Sequence, residues 1–400
     1  MKLVAKTFFG LEDVLAAELR ELGAASVTPL NRAVSFEGSK SLLYAANYRS
    51  RLALSVLVPV AGFSIKNQKD LYNGAVSVDW DHYLDTGKTY AVTAVVNSVH
   101  FTHSGYAALV VKDAIADFFR RLTRERPSVD QKTPDLLVNV HISNERVTIS
   151  LDSTVVPLYK RGYRRGQSEA PLSEVLAAGM IALAGWKAEV PLVDGMCGSG
   201  TIVAEAGLIA RNIAPGRFRK SFGFMKWKDY DPALFRSVKF EAEKRERPSP
   251  VKIFGGDISP EACATATSNV KEAGLADTVT IAERDFFNSP PPADEGTLMI
   301  NPPYGRRIGT ADMSEFYGAI GTVLKHHYTG YTAWILSGDK PGLKSVALKP
   351  FRKFDLLNGD IECRFQGYEL YGGSRKKMFQ TYGNTKFAVP HSALVKKCQS

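Results

Sequence analysis

The feature that most constrains the fold is the run Val190-Pro-Leu-Val-Asp-Gly-Met-Cys-Gly-Ser-Gly-Thr201. A short apolar strand ends in Asp194, a turn carries Gly195, Gly198 and Gly200, and the apolar stretch Thr201–Arg211 reads as a helix. Glycines at such a turn let the backbone approach a ligand closely, and the helix start offers free N–H groups to an anionic group. The spacing is not that of a dinucleotide fingerprint, and no Gly-Lys-Ser/Thr follows to make a phosphate loop. A plain turn between packed elements would also use glycines here. Downstream, the strands Val251–Asp257, Thr278–Glu283, Thr297–Ile300 and Thr332–Ser337 alternate with the helices Pro260–Ala273, Ser314–Tyr328 and Lys340–Leu348. The late strands Lys353–Leu357 and Ile361–Tyr371 follow. That alternation predicts an α/β, Rossmann-like doubly wound sheet.

Three further motifs sit at the ends of these strands. Phe254-Gly-Gly-Asp-Ile-Ser-Pro-Glu-Ala262 puts the Asp257 carboxylate, followed by Ile258, where both ribose hydroxyls of a nucleoside cofactor can be held. The interval from the glycine turn exceeds the usual ~20 residues, because residues 212–250 form an insertion. Asp257 has a second reading as a helix N-cap, although Ser259 before Pro260 suits that role better. Glu283-Arg-Asp-Phe-Phe287 places Asp285 to accept from a base amine, with Phe286 packing beside the ring. An ordinary loop acid is the alternative there.

Met299-Ile-Asn-Pro-Pro-Tyr-Gly-Arg306 is the most specific of the motifs. Pro302 and Pro303 fix the backbone and remove two N–H donors. The Asn301 side-chain oxygen and the Pro302 carbonyl can then converge as acceptors on one –NH₂ group. Tyr304 offers an aromatic face to an extruded base. Such an amine is a poor nucleophile, its lone pair being delocalised into the ring. Two acceptors on its hydrogens favour the pyramidal form that can attack an electrophilic carbon, so positioning and electrostatics suffice.

Upstream, residues 1–60 read as β-α-β-α-β, a small α+β unit. Thr89–Val96, Ser104–Leu122, Leu136–Ile142 and Arg146–Asp152 continue as strand, helix and a hairpin. A basic linker over Leu158–Gln167 marks a domain boundary. The expected division is therefore 1–60, 61–157 and 158–400.

The chain carries 51 Lys+Arg against 41 Asp+Glu, a net charge of +10, which favours an anionic partner such as nucleic acid. Lys160, Arg161, Arg164 and Arg165 make one basic cluster. Arg217, Arg219, Lys220, Lys226 and Lys228 make another, interleaved with Phe218, Phe222, Phe224 and Trp227. The alternative for each is a solvated surface. The four cysteines are widely spaced and form no zinc pattern, so no metal is expected. With no apolar run long enough for a membrane span and no signal-peptide pattern, a cytoplasmic protein is expected.

At these motifs the chain resembles the class I amino-methyltransferases, and more closely the THUMP-domain RNA methyltransferases that make N2-methylguanosine. Residues 1–36 resemble the family's ferredoxin-like N-terminal segment, and the region around 60–155 resembles THUMP, an RNA-binding module. Tyr159-Lys-Arg-Gly-Tyr-Arg164 and Ala170-Pro-Leu-Ser-Glu-Val-Leu-Ala-Ala178 resemble the bridge into the catalytic domain. Asp194–Thr201, Arg211-Asn-Ile-Ala-Pro-Gly216, Asn301-Pro-Pro-Tyr-Gly305 and Leu357-Asn-Gly-Asp-Ile-Glu-Cys363 match as motifs. One departure is Gly195, where the family usually has proline.

The resemblance implies S-adenosylmethionine as cofactor, held by Asp194, Gly195, Cys197, Gly198, Gly200, Thr201, Asp257, Ile258, Asp285, Phe286 and Asn301. It implies Asn301, Pro302, Pro303 and Tyr304 as the catalytic residues. The RNA partner would be met by Lys160, Arg161, Arg164, Arg165, Arg217, Arg219 and Lys220. The nearest branch methylates a guanine of 23S ribosomal RNA. A tRNA guanine-N2 enzyme, an N6-adenine DNA methyltransferase and a non-catalytic RNA-binding protein are the alternatives.

Overall fold

The structure is a computed structural model that describes residues 1–99, 101–164, 172–303 and 313–372. The N-terminal part runs β1 (Lys2–Lys6), α1 (Glu12–Glu21), β2 (Ala25–Leu30), β3 (Ala33–Glu37), α2 (Lys40–Arg49) and β4 (Ser55–Ser64). It continues α3 (Gln68–Val76), β5 (Thr89–Asn97), α4 (Ser104–Thr123), β6 (Ser128–Val129), β7 (Leu136–Ser143) and β8 (Arg146–Asp152). These strands form a single sheet of order β2-β3-β1-β4-β8-β7-β5-β6.

The sequence pattern gave no sign of β2. With it, the first unit becomes β-α-β-β-α-β with the order β2-β3-β1-β4, a ferredoxin-like arrangement. β2 lies at the sheet edge and is exposed along most of its length, so it lacks the apolar alternation that reveals a half-buried strand. β4 pairs with β1 on one side and β8 on the other. The boundary expected at residue 60 therefore falls inside a strand shared by both halves of this sheet.

The C-terminal part begins with α5 (Glu174–Ala184), β9 (Leu192–Asp194) and α6 (Thr201–Ala210). The insertion contributes α7 (Pro232–Glu243), followed by β10 (Ile253–Asp257), α8 (Pro260–Glu272), β11 (Val279–Glu283) and β12 (Gly296–Ile300). Then come α9 (Met313–His327), β13 (Tyr331–Ser337), α10 (Gly342–Ser345), β14 (Arg352–Asn358) and β15 (Ile361–Glu369). The sheet order is β11-β10-β9-β12-β13-β15-β14, with β15 antiparallel to both neighbours. From β9 the chain adds strands first to one side and then to the other. The crevice between the carboxyl ends of β9 and β12 is thus a topological switch point, where such sheets bind ligands. The helix expected over 340–348 shortens to α10.

The insertion corrects one expectation. Three of its aromatic rings do not face a partner: Phe222, Phe224 and Phe235 are buried against α2, with Phe224 stacked on Tyr44 at 4.4 Å. Leu158, Ala178 and Ala214 belong to the same core as Leu15 of α1 and Phe36 of β3. The two sheets are therefore joined by shared apolar packing as well as by the chain.

Candidate active site

Strand register places the motif residues along one edge. Asp194 pairs with Gly255 of β10 and with Met299 of β12, while Asp257 pairs with Glu283 of β11. The residues that continue past each strand end are the glycine loop, Asp257-Ile258, Asp285-Phe286 and Asn301-Pro302-Pro303. The sequence-predicted site residues within the described parts come together here. Tyr304 lies outside the described residues.

The glycine loop is held by hydrogen bonds from its neighbours. The Cys197 N–H donates to the Gly256 carbonyl at 2.8 Å, and the Gly198 N–H donates to Asp257 Oδ2 at 2.8 Å. Asn269 Nδ2 of α8 donates to the Ser199 carbonyl at 2.9 Å. Gly200 caps α6 in a left-handed conformation, φ +78°, with Ala266 Cβ only 2.9 Å from where a side chain would start. It brings no capping side chain, so no capping oxygen takes up the N–H groups of the first turn. That turn is a ready-made anion site.

Asp257 is not the helix cap. Ser259 takes that role, accepting from the Ala262 N–H at 3.1 Å, while Asp257 Oδ1 accepts from the Ser259 N–H. Beside Asp257, Ile258 is 70% exposed, an unpaired apolar surface at the rim where a nucleoside would lie.

Asp194 is buried, and its carboxyl is pushed up to about 8, mainly by burial and further by the Asp257 charge. Burial also raises the Cys197 thiol, with Asp194 and Asp257 adding to the shift. Cys197 is therefore an inert packing thiol.

Asp285 and Phe286 also have structural roles in their own loop. Asp285 Oδ1 accepts from the Phe287 N–H at 2.9 Å, and Oδ2 from Asn288 Nδ2, so the carboxylate closes its own loop. Phe286 is buried, stacked on Tyr328 at 5.7 Å, and its Cδ2 sits 2.5 Å from where a Cβ on Gly195 would stand. A proline at 195 would collide with this ring, which accounts for the glycine. Phe286 and Tyr328 line a cavity of about 230 Å³ with Asp194, Gly195, Gly256 and Arg284. Nothing in the sequence marked Tyr328, because its contact depends on the sheet.

Asn301 carries the most telling observation. Its Oδ1 is buried and has no hydrogen-bond partner among the described residues. An orphaned amide oxygen costs about 1–3 kcal/mol, and a donor on a bound ligand would satisfy it. Pro302 and Pro303 have no N–H to offer it.

The basic residues need correction. Arg161 is 1% exposed and pairs with the fully buried Glu205 of α6 at 3.4 Å, also donating to the Leu158 and Arg51 carbonyls. Tyr163 donates to the same Glu205 at 3.0 Å. Arg164 contacts Glu174, the Leu172 carbonyl and Thr201 Oγ1. Arg217 pairs with Glu246. Arg219 donates to the carbonyls of Val156, Pro157 and Lys160, and burial lowers it to about 10. These arginines therefore brace the linker and the insertion, and Arg161 cannot reach RNA at all. Lys160 and Lys220 remain exposed, and Arg165 lies outside the described residues. Glu205 was the missed signal: a lone acid in the apolar helix TIVAEAGLIA.

A doubly wound sheet of this strand order, with a glycine loop at the first strand and an Asn-Pro-Pro turn at the fourth, defines a class I methyltransferase domain. Its glycine loop, free helix start and Asp257 suit S-adenosylmethionine, the methyl donor of the class. Residues 161–366 match the RMKL-like methyltransferase domain, 66–152 the THUMP domain and 2–57 the RlmL ferredoxin-like domain. A Synechocystis sp. protein named for RNA methyltransferase activity is 40% identical over 364 residues, spanning 90% of this chain and 95% of its own. A ribosomal RNA large subunit methyltransferase K/L of Shewanella frigidimarina is 33% identical over 92% of this chain, which spans about half (52%) of that relative. The solved structure of SMU.472, a methyltransferase by its description, in complex with SAH superposes with a TM-score of 0.83 at 28% identity, covering 93% of this chain and 99% of that one. The chain belongs to the RMKL-like, THUMP-containing methyltransferase family.

Proposed function

We propose that the chain transfers a methyl group from S-adenosylmethionine to the exocyclic N2 amine of a guanine in RNA, with 23S ribosomal RNA as substrate. The observation that carries this reading is the buried Asn301 Oδ1, unpartnered among the described residues, at the end of the strand beside the glycine loop's strand. The THUMP match and the ribosomal name of the K/L relatives support RNA and its ribosomal source. The cytoplasm, where ribosomal RNA is made, is the compartment this implies.

S-adenosylmethionine, when bound, supplies an electrophilic methyl carbon on a sulfonium. The chain's own residues do the rest. Asn301 Oδ1 and the Pro302 carbonyl would accept the two amine hydrogens and turn the nitrogen lone pair out of the base plane, toward the methyl carbon whose bond to sulfur breaks as the N–C bond forms. Tyr304 stacks on the extruded base. The amine proton leaves to water once the new bond has formed, so no histidine is needed as base. Incubating the protein with radiolabelled S-adenosylmethionine and unmodified 23S rRNA, tRNA or DNA tests the reading. Label in rRNA, recovered as N2-methylguanosine, is expected; label in DNA alone would refute it.

A further inference from the structure

Arg164 lies in the strap that leads from the N-terminal sheet into the catalytic domain, and its guanidinium reaches Thr201 at the end of the glycine loop. Nη2 donates to Thr201 Oγ1 at 2.9 Å and to the Leu172 carbonyl at 3.1 Å. Nε lies 3.2 Å from Glu174 Oε1, with the Arg164 and Glu174 side chains 19% and 6% exposed. The fork is thus fixed from α5 while it grips the first residue of α6. One turn further along the same helix face, Arg161 and Tyr163 hold Glu205, and Arg161 also donates to the Arg51 carbonyl of the N-terminal part.

We propose that Arg164 is a positioning residue for the cofactor loop, acting through Thr201. A hydroxyl that accepts from a guanidinium has its own proton free to donate. Ser199 Oγ, 3.5 Å away, is the only hydroxyl recorded against it among the described residues, at the edge of bonding distance. Arg164 therefore sets the polarity of the Thr201 hydroxyl: it becomes an O–H donor at the start of α6, alongside the uncapped N–H groups. That arrangement suits the carboxylate end of the cofactor. The Arg164 charge adds to the positive potential of the helix start. The strap places this control in the segment that joins the two sheets, so the loop's geometry depends on how the N-terminal part is seated.

The inference rests on the glycine loop being the cofactor loop. Calorimetric titration with S-adenosylhomocysteine, alongside the thermal midpoint of each ligand-free protein, tests it on the full chain. Arg164→Ala and Thr201→Val should each weaken binding by about 10-fold, and the double variant by little more than either, because both break one interaction. Thr201→Ser should bind like wild type, and Arg164→Lys should fall between wild type and Arg164→Ala. A purely structural role would lower the thermal midpoint while leaving affinity in place. Unchanged affinity in Arg164→Ala, or effects that multiply in the double variant, would overturn the proposal. If Arg164→Ala does not fold, equal affinities of Thr201→Val and Thr201→Ser would overturn it instead. Failure of the wild-type protein itself to bind would point to the cofactor assignment rather than to Arg164.

Discussion

Replacing Asn301 by alanine should separate activity from stability in opposite directions. In the folded protein Asn301 Oδ1 is buried without a partner among the described residues, which leaves its desolvation uncompensated. That deficit is about 1–3 kcal/mol. Truncation removes the orphaned oxygen but also some packing, so ligand-free stability should rise slightly or stay within about 1 kcal/mol of wild type. The same change removes one of two acceptors from the target amine. Loss of one preorganised polar contact typically slows turnover by ~10²–10³, or about 3–4 kcal/mol. Cofactor affinity should hardly move, because the loop from Asp194 to Gly200 is braced by Asp257 and Asn269. The assay is single-turnover methyl transfer beside denaturant unfolding and S-adenosylhomocysteine titration. Near-wild-type transfer, or a stability loss above about 2 kcal/mol, would refute the view of Asn301 as an acceptor kept idle for substrate.

Asp194 retains its proton up to about pH 8 in the ligand-free fold, and a cationic cofactor beside it should expel that proton. Calorimetry in buffers of different ionisation enthalpy should show proton release on binding at pH 7, with affinity rising toward pH 8 and levelling above it; proton uptake would contradict this. From the ordinary carboxyl value of 3.8 up to about 8 the folded state binds more protons than the unfolded one, so this group makes stability fall as pH rises through that window. Asp194→Asn should flatten that part of a stability–pH curve. Glu205→Ala leaves Arg161 buried without its counter-charge and should cost about 3–5 kcal/mol in urea unfolding, far more than Glu246→Ala at the exposed Arg217 pair. A fragment of residues 158–400 should aggregate or bind a hydrophobic dye, since Phe222, Phe224 and Phe235 lose their cover from Tyr44 and Tyr48; a monomeric, cooperatively melting fragment would contradict that.

The glycine turn, the strand-end acids and Asn301-Pro-Pro were legible in the sequence because each is a local pattern with one physical use. The doubly wound sheet followed from the alternation that carries them. What could not be read depended on partners distant in the chain. β2 was hidden because an exposed edge strand has no buried face to write an alternation. The burial of Arg161 and the packing of Phe222 and Phe224 were hidden because Glu205 and the rings of α2 reach them only in the folded chain. Charge clustering in sequence is a statement about neighbours along the chain, and here long-range pairing overrides it. Tyr328 was hidden in the same way: only the folded sheet brings it against Phe286, where Gly195 leaves room for the ring.

The central claim is tested most directly by nucleoside mass spectrometry after methyl transfer to unmodified 23S rRNA. The account predicts a single new product, N2-methylguanosine, formed by the wild-type protein and lost with Asn301→Ala. Methylated adenosine, or methylation that persists undiminished without Asn301, would contradict it.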